Sequence, residues 1–524
     1  MQTTFIVDRL HPITTVLDPS HPAHSRLSVM SEILLDYNRI HVTTWGYLSS
    51  LLLIGLFFKF NRFWSVRNLD LMVLILLAPG LLLVQVGHQH KSHLAPKLLG
   101  LPAPNTQASE QDLATNSSRQ NQAGLPASGG LTDSGPNPVA TSTPETIALE
   151  AESTVQTAQQ KLLQDSRQIE RAGYLWLFVT GGLLLIRLLV DPQMIRRPLL
   201  EPNLTSGGLA FIGCSLFVFL IANVISSNPT TSQLKSGAPG NPMLQEVTEF
   251  TNLPDEKLPS GVPLPAPDRQ LTQSAAVVAQ LAIMLGIICV GHWHFHNLKM
   301  GLGPAVIYLL LPSAAITPGQ LAHVLPAALL VWAIVWYRYP LVSGALVGTA
   351  IGTIYYPLFL FPLWLSYYWR KGWKRFLAGA LVASSAMALV SGWMTSGERP
   401  FLEMLQQMYG IMRPRMEGLS GIWDLGWDPI YRLPVLFAFA ALSITFAVWP
   451  AQKNFGTLLN CSATIMLATQ FWHGNNGGIY LEWYLPLVLL TMFRPNLDDR
   501  LAAAVVVGPW LPGWPGKRTA RPEA

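Results

Sequence analysis

The amino-acid sequence points to an all-α integral membrane protein with about thirteen transmembrane helices and a long disordered extracytoplasmic loop. Three observations carry this. The chain of 524 residues is 50% hydrophobic but only 12% charged, against about 25% charged in soluble domains. Apolar windows close to the length of about twenty residues needed to cross a bilayer recur along most of it. The stretch 302–375 packs four apolar segments between tight links, and its Gly344, Gly348 and Gly352 share one helical face. In lipid, small residues rather than apolar burial drive helix association, so that spacing lets two backbones approach closely.

Residues 1–41 are polar with mixed charge and lack the basic cluster and apolar core of a cleavable signal peptide. The first membrane hairpin, 42–87, holds spans at 42–58 and 69–86 joined by the basic linker KFNRFWSVRN. An extracytoplasmic loop over 88–172 follows. Its 101–144 stretch, rich in Pro, Ser, Asn, Gln and Gly, cannot bury enough apolar surface to offset ordering and is expected to be disordered. Beyond it, Ala148, Val155, Leu162 and Ile169 recur every seven residues, with Ala151 and Ala158 three further on. That stripe predicts an amphipathic helix over 147–171, either lying on a partner or the membrane face or serving as a charged stalk. Region 173–295 carries spans at 173–190, 206–226 and 274–295, the last two separated by a Pro-rich loop at 227–271. The membrane core, 296–496, then carries spans at 303–316, 321–337, 341–354, 355–369, 376–392, 432–449, 455–472 and 479–493, with an outer loop at 396–432. Residues 497–524 form a cytoplasmic tail whose apolar part, 501–512, is broken by Pro and Gly and rests at the interface.

Charge orients this array. With the amino terminus outside, one face collects 18 Lys+Arg and 6 Asp+Glu, and the other 16 and 23. The basic face is therefore cytoplasmic, because Lys and Arg in short loops resist translocation. No charge falls well inside a span, Glu482 near the outer end of the last helix being the closest. A charge at mid-bilayer costs at least about 2.5–3.5 kcal/mol and usually marks an ion path, so an ion-coupled transporter is disfavoured. Acidic chemistry belongs at the outer surface.

That surface offers GIWDLGWDP, which places Trp423–Asp424 and Trp427–Asp428 one helical turn apart. Indoles beside carboxylates suit a sugar: Trp423 and Trp427 as an apolar platform, Asp424 or Asp428 as the catalytic base. Such a base is worth roughly 10²- to 10⁴-fold in rate if it reaches an acceptor hydroxyl. Interfacial Trp and helix-capping Asp explain the same residues structurally. The last outer turn, FWHGNNGGIYLEWYLP, adds His473, Asn475, Asn476, Tyr480, Glu482 and Trp483. Glu482, just inside an apolar helix, calls for a partner, with Arg432 and His473 as candidates. Two histidine sets, His88/His90/His93 and His292/His294/His296, fall on opposite faces with no HExxH pattern and no completing carboxylate, so no metal is expected. Cys214, Cys289 and Cys461 lie in apolar segments without a CxxC pair, which argues against a disulfide framework. The long loop is neither basic nor interleaved with aromatics, which argues against nucleic acid.

These residues give the carboxyl-terminal half, roughly 301–496, a likeness to the GT-C superfamily of membrane glycosyltransferases, nearest to the polyprenol-phosphate-mannose-dependent type. The likeness rests on the short spans around Pro318-Gly319-Gln320, on Gly344-Ala345-Leu346-Val347-Gly348 leading to Tyr356-Pro357, and on Trp483-Tyr484-Leu485-Pro486. Most of the chain also resembles uncharacterised multi-spanning bacterial inner-membrane proteins, which places it in the cell inner membrane among membrane lipid. The GT-C resemblance implies a polyprenyl-phosphate-linked sugar donor and reaction at the extracytoplasmic face, with no separate cofactor. The leading reading of the residues sets Gln320, Arg432, His473 and Glu482 beside the Trp pair in substrate binding, with Arg432 or His473 pairing to phosphate. Where that family commonly has a lysine three residues before the Tyr-Pro proline, this chain has Ile354. The family's first-outer-loop aspartate is replaced by VGHQHKSHLAPK. A lipid-linked substrate transporter or flippase, and a non-catalytic membrane scaffold, are the alternative functions.

Overall fold

A computed structural model describes residues 41–98, 144–194, 199–225, 241, 267–316, 319–394, 400–410, 416, 418–451 and 453–495. In chain order the helices are α1 (Val42–Phe57), α2 (Val66–Leu98), α3 (Pro144–Val190), α4 (Ser206–Ile225), α5 (Pro267–Trp293), α6 (Lys299–Leu310), α7 (Ser313–Ile316) and α8 (Leu321–Val335). They continue with α9 (Pro340–Thr353), α10 (Phe361–Tyr367), α11 (Trp373–Met394), α12 (Phe401–Tyr409), α13 (Arg432–Val448), α14 (Phe455–Trp472) and α15 (Leu485–Phe493). Among the described residues there is no strand, and six helical stretches are long and apolar enough to cross a membrane. Those stretches lie in α2, α3, α4, α5, α11 and α13, while α1, α6, α8 and α9 are apolar but shorter. The loop expected to be disordered, nearly all of the Pro-rich loop and the two termini lie outside the described residues.

The first departure from expectation is the α2–α3 pair. Helix α2 runs to Leu98, past the expected span end at 86, and α3 joins the expected amphipathic helix and the following span into one 47-residue helix. A seven-residue repeat explains the continuity. Asp70, Leu77 and Val84, with Leu74 and Leu81, are buried on α2, and Ser166, Gly173 and Thr180, with Leu177 and Leu184, are buried on α3. The two run antiparallel, Asp70 meeting Arg187, Val84 meeting Gly173 and Gly87 meeting Glu170. Within the described part of the stripe read from sequence, Leu162 is 51% exposed, while Ser166, outside that stripe, is buried at 2%.

The glycine stripe of α9 does pack a backbone. A Cβ at Gly344 or Gly348 would overlap the main chain of α11 at Phe376 or Ala380, and one at Gly352 would meet Met387. Because contacts rise in number along both helices, α9 and α11 run parallel. The chain between them must return across the bundle, and 355–369 does so as a 3-10 turn, Tyr356–Leu360, feeding the seven-residue α10. Pro357 and Pro362 at the starts of these two pieces set that break, since a proline ring fits the first turn of a helix but not its interior. Expected spans 303–316 and 479–493 are likewise subdivided, the first at Leu311-Pro312 and the second into a 3-10 turn (Leu481–Trp483) and α15. Asn241, alone described within the Pro-rich loop, is fully buried. Its backbone N–H donates to the carbonyl of Thr353, and its side-chain amide donates to the carbonyl of Gly352 and the hydroxyl of Ser391, closing the α9 carboxyl end.

At the end of the bundle bearing the basic loops, polar side chains replace apolar packing. Asp70 and Arg187 pair at 2.6 Å and 3.0 Å, Arg187 also reaches Asp191 at 2.9 Å, and Asp191 takes Arg494 at 2.8 Å. The chain of four ties α2, α3 and the end of α15 together. Asn68 donates to the carbonyls of Lys59, Arg62 and Phe63, folding the basic linker back on itself.

Candidate functional site at the Trp-Asp end

The opposite end is built on one stitched pair of loops. The turn after α14 and the loop before α13 meet through Ser420 N donating to Gly474 O at 2.9 Å and Asn476 N donating to Ser420 Oγ at 3.0 Å. Gly421 (φ 76) and Gly477 form a bridge there. A Cβ on Gly421 would lie 2.8 Å from Asn476 Cα, so both the left-handed backbone and the close approach require glycine.

On this frame the sequence candidates separate. Trp423 is packed in, 9% exposed, whereas Trp427 is 55% exposed. They do not form one platform. The reason is local: Ile422–Asp424 is a 3-10 turn, and Gly426 at φ 98 redirects the chain before Trp427, so helical spacing does not hold. The carboxylates separate too. Asp428 caps the Pro429–Tyr431 turn, its Oδ1 accepting from Ile430 N at 3.0 Å. Asp424 is exposed, and among the described residues its side chain makes no hydrogen bond. It stands close enough for its charge to act on the Tyr174 hydroxyl of α3.

Near Asp424's loop lies a packed aromatic cluster. Arg432 is buried, its Nε donating to Trp472 O at 2.7 Å with the guanidinium 5.8 Å from the Trp472 ring centre, a cation–π arrangement. Trp472 also packs on Tyr355 and Tyr356. Tyr355 OH donates to Tyr356 OH at 3.1 Å, and the Tyr356 hydroxyl bonds Nδ1 of His473. His473 is 1% exposed and its Nε2 has no hydrogen-bond partner among the described residues. Burial first, then the charge of Arg432 and the neighbouring His323, pushes its imidazole down to about 3. It is neutral at ordinary pH. Of the two residues expected to meet phosphate, only Arg432 is a cation here.

Tyr480 stacks on Trp483 at 4.3 Å, and His323 packs against Tyr480 at 4.7 Å. Gln320 stands at the amino-terminal cap of α8, three residues before His323, its carbonyl accepting from the His323 and Val324 amides. Glu482 is buried in the 3-10 turn before α15, where its charge acts on Tyr308 and Tyr484. Arg432, His473, Glu482, Trp423 and the Gln320 cap therefore share this end, with Asp424 at its edge and Trp427 and Asp428 facing away from the packed interior. Among the described residues no group of three His, Cys, Asp or Glu is placed to hold a metal ion. Sequence reasoning passes over Tyr355, Trp472 and His323 as site residues, although YYP and FWH carry the signal of clustered aromatics.

No family model, curated protein or solved structure matches this chain.

Proposed function

We propose that this chain is a multi-pass enzyme of the cell inner membrane that moves a sugar from a polyprenyl-phosphate donor to an acceptor hydroxyl at the extracytoplasmic face. The reading keeps about thirteen crossings, the short helices and the 355–369 return counted with the six long ones, and places the Trp-Asp end outside by the distribution of Lys and Arg. The observation that carries it is the division of labour on the rim. Asp424 is an exposed carboxylate whose side chain makes no hydrogen bond among the described residues, in the loop that leads to the buried Arg432, while Asp428 is consumed in capping. In the reaction the acceptor oxygen forms a bond to the anomeric carbon as the bond from that carbon to the phosphate oxygen breaks. Asp424 takes the acceptor's proton and Arg432 neutralises the departing polyprenyl phosphate, a charge-assisted contact suited to guanidinium.

The test is transfer from a labelled polyprenyl-phosphate sugar in membranes containing the full chain. Asp424→Asn is expected to lower the rate by about 10²- to 10⁴-fold, with Asp428→Asn keeping most of it. Equal rates for Asp424→Asn and the unchanged chain would remove the reading. One observation favours a scaffold instead: α3, at 47 residues, spans about 70 Å, well beyond a hydrocarbon core of about 30 Å. On that alternative both Asp variants are silent and shortening the α2–α3 projection abolishes function.

A further inference from the structure

The end of the bundle with the basic loops carries a ridge that the ion pairs there do not use. Two loops build it, 337–340 before α9 and 368–375 before α11. They are fastened to each other. The Tyr368 hydroxyl donates to Tyr337 O at 2.5 Å, and a Cβ on Gly372 (φ 115) would lie 3.1 Å from the Pro340 ring. The second loop turns tightly, Lys371 N donating to Tyr368 O at 2.8 Å and Arg375 N to Gly372 O at 3.0 Å, with Arg370 itself at φ 64. An arginine held in the left-handed region marks a turn dictated by the packing around it. Arg338, Arg370 and Lys374 are exposed along the ridge, and Lys371 is half-buried. Trp369 is exposed and stacks on Trp373 at 5.9 Å and 19°, and the Lys374 ammonium stands 5.9 Å from the Trp373 ring centre.

Among the described residues no carboxylate balances these cations. No Asp or Glu occurs between Asp268 and Glu398. The ion pairs, through Asp70, Glu170 and Asp191, leave out Arg338, Arg370, Lys371 and Lys374. Trp373 opens the stretch of α11, 373–393, that is long and apolar enough to cross a membrane, so the ridge stands at headgroup level.

We infer that this ridge binds anionic glycerophospholipid, its phosphate taken by Arg338, Arg370, Lys371 and Lys374 and its glycerol region lying against Trp369 and Trp373. Cations clustered just outside a span attract anionic lipid, and indoles settle at the interface between headgroup and hydrocarbon. A soluble phosphate would use the cations and leave the stacked indoles without a role. The inference rests on the chain crossing a membrane and not on sugar transfer, so either can fail alone.

The test places the full chain in nanodiscs of phosphatidylethanolamine containing a minor share of phosphatidylglycerol, with a photoactivatable group at the glycerol end of one acyl chain. Adducts are mapped by mass spectrometry, with the same probe built on phosphatidylethanolamine for comparison. The phosphatidylglycerol adducts are expected to concentrate on 337–340 and 369–375. Arg370→Gln, Lys371→Gln and Lys374→Gln each lower them about fivefold. Lys59→Gln with Arg62→Gln, which neutralises the exposed cations of the first basic linker, leaves them unchanged. Equal labelling of the ridge by the two probes, or labelling unchanged in the ridge variants, overturns the inference. An equal fall in the Lys59/Arg62 variant does so too, since net charge alone would then attract the lipid. Loss of the adducts to soluble glycerol phosphate would give the cations to a free anion and likewise overturn it.

Discussion

Asp424 and Asp428 stand four residues apart in one loop, yet only Asp428 is tied to its own backbone. The residue scale is also where pH enters. His473 is buried neutral, pushed down from its ordinary 6.5 to about 3, so the unfolded chain binds a proton there that the folded chain refuses. Its contribution is fully present above about pH 6.5 and is lost as pH falls from there toward 3, with a slope of up to about 1.4 kcal/mol per pH unit. Thermal unfolding of the purified protein across pH 7 to 4 is expected to show a steeper fall for the unchanged chain than for His473→Asn. Parallel curves would mean that His473 accepts its proton in the folded state.

At the scale of the element, two devices hold helices together, and each has its own failure. The α9–α11 contact is backbone against backbone, so Gly348→Leu has nowhere to put its side chain and is expected to cost about 3 kcal/mol or more, read as lost accumulation or a lower Tm, while Gly55→Leu, which meets nothing within 4 Å, is tolerated. The α2–α3 pair is instead pinned by charge at its basic end. Asp70→Asn leaves the half-buried Arg187 one carboxylate short, and removing one partner of a largely buried pair costs about 3 kcal/mol. Unfolding in detergent reads that loss. The glycine stripe is legible in the sequence because a four-residue spacing is a pattern. The Asp70–Arg187–Asp191–Arg494 chain is not, because its members are scattered over more than four hundred residues and no local periodicity links them. The heptad pairing of α2 with α3 lies between these cases. Its repeat crosses from a charged segment into an apolar one, so composition suggests a boundary at 172 where the helix has none.

For the whole molecule, hydropathy locates the apolar helices, six of which among the described residues are long and apolar enough to cross a membrane, since apolar runs mark burial in lipid or protein alike. It misjudges their form where proline cuts them, at Pro312, Pro357 and Pro362. The rim is harder to read. Trp423 and Trp427 look equivalent in sequence, and only the backbone reversal at Gly426 buries one and exposes the other. What binds the functional proposal to the fold is sidedness. It rests on the crowding of Lys and Arg at one end and the loop-borne indoles, Asp424 and Arg432 at the other. Cysteine labelling with a membrane-impermeant reagent on intact cells, in a background lacking Cys214, Cys289 and Cys461, measures it directly. The account predicts that Trp427→Cys, at an exposed position of the Trp-Asp end, is labelled from outside, and that Trp369→Cys, exposed at the basic end, is labelled only after lysis. Labelling of position 369 but not 427 in intact cells would invert the molecule and contradict the account.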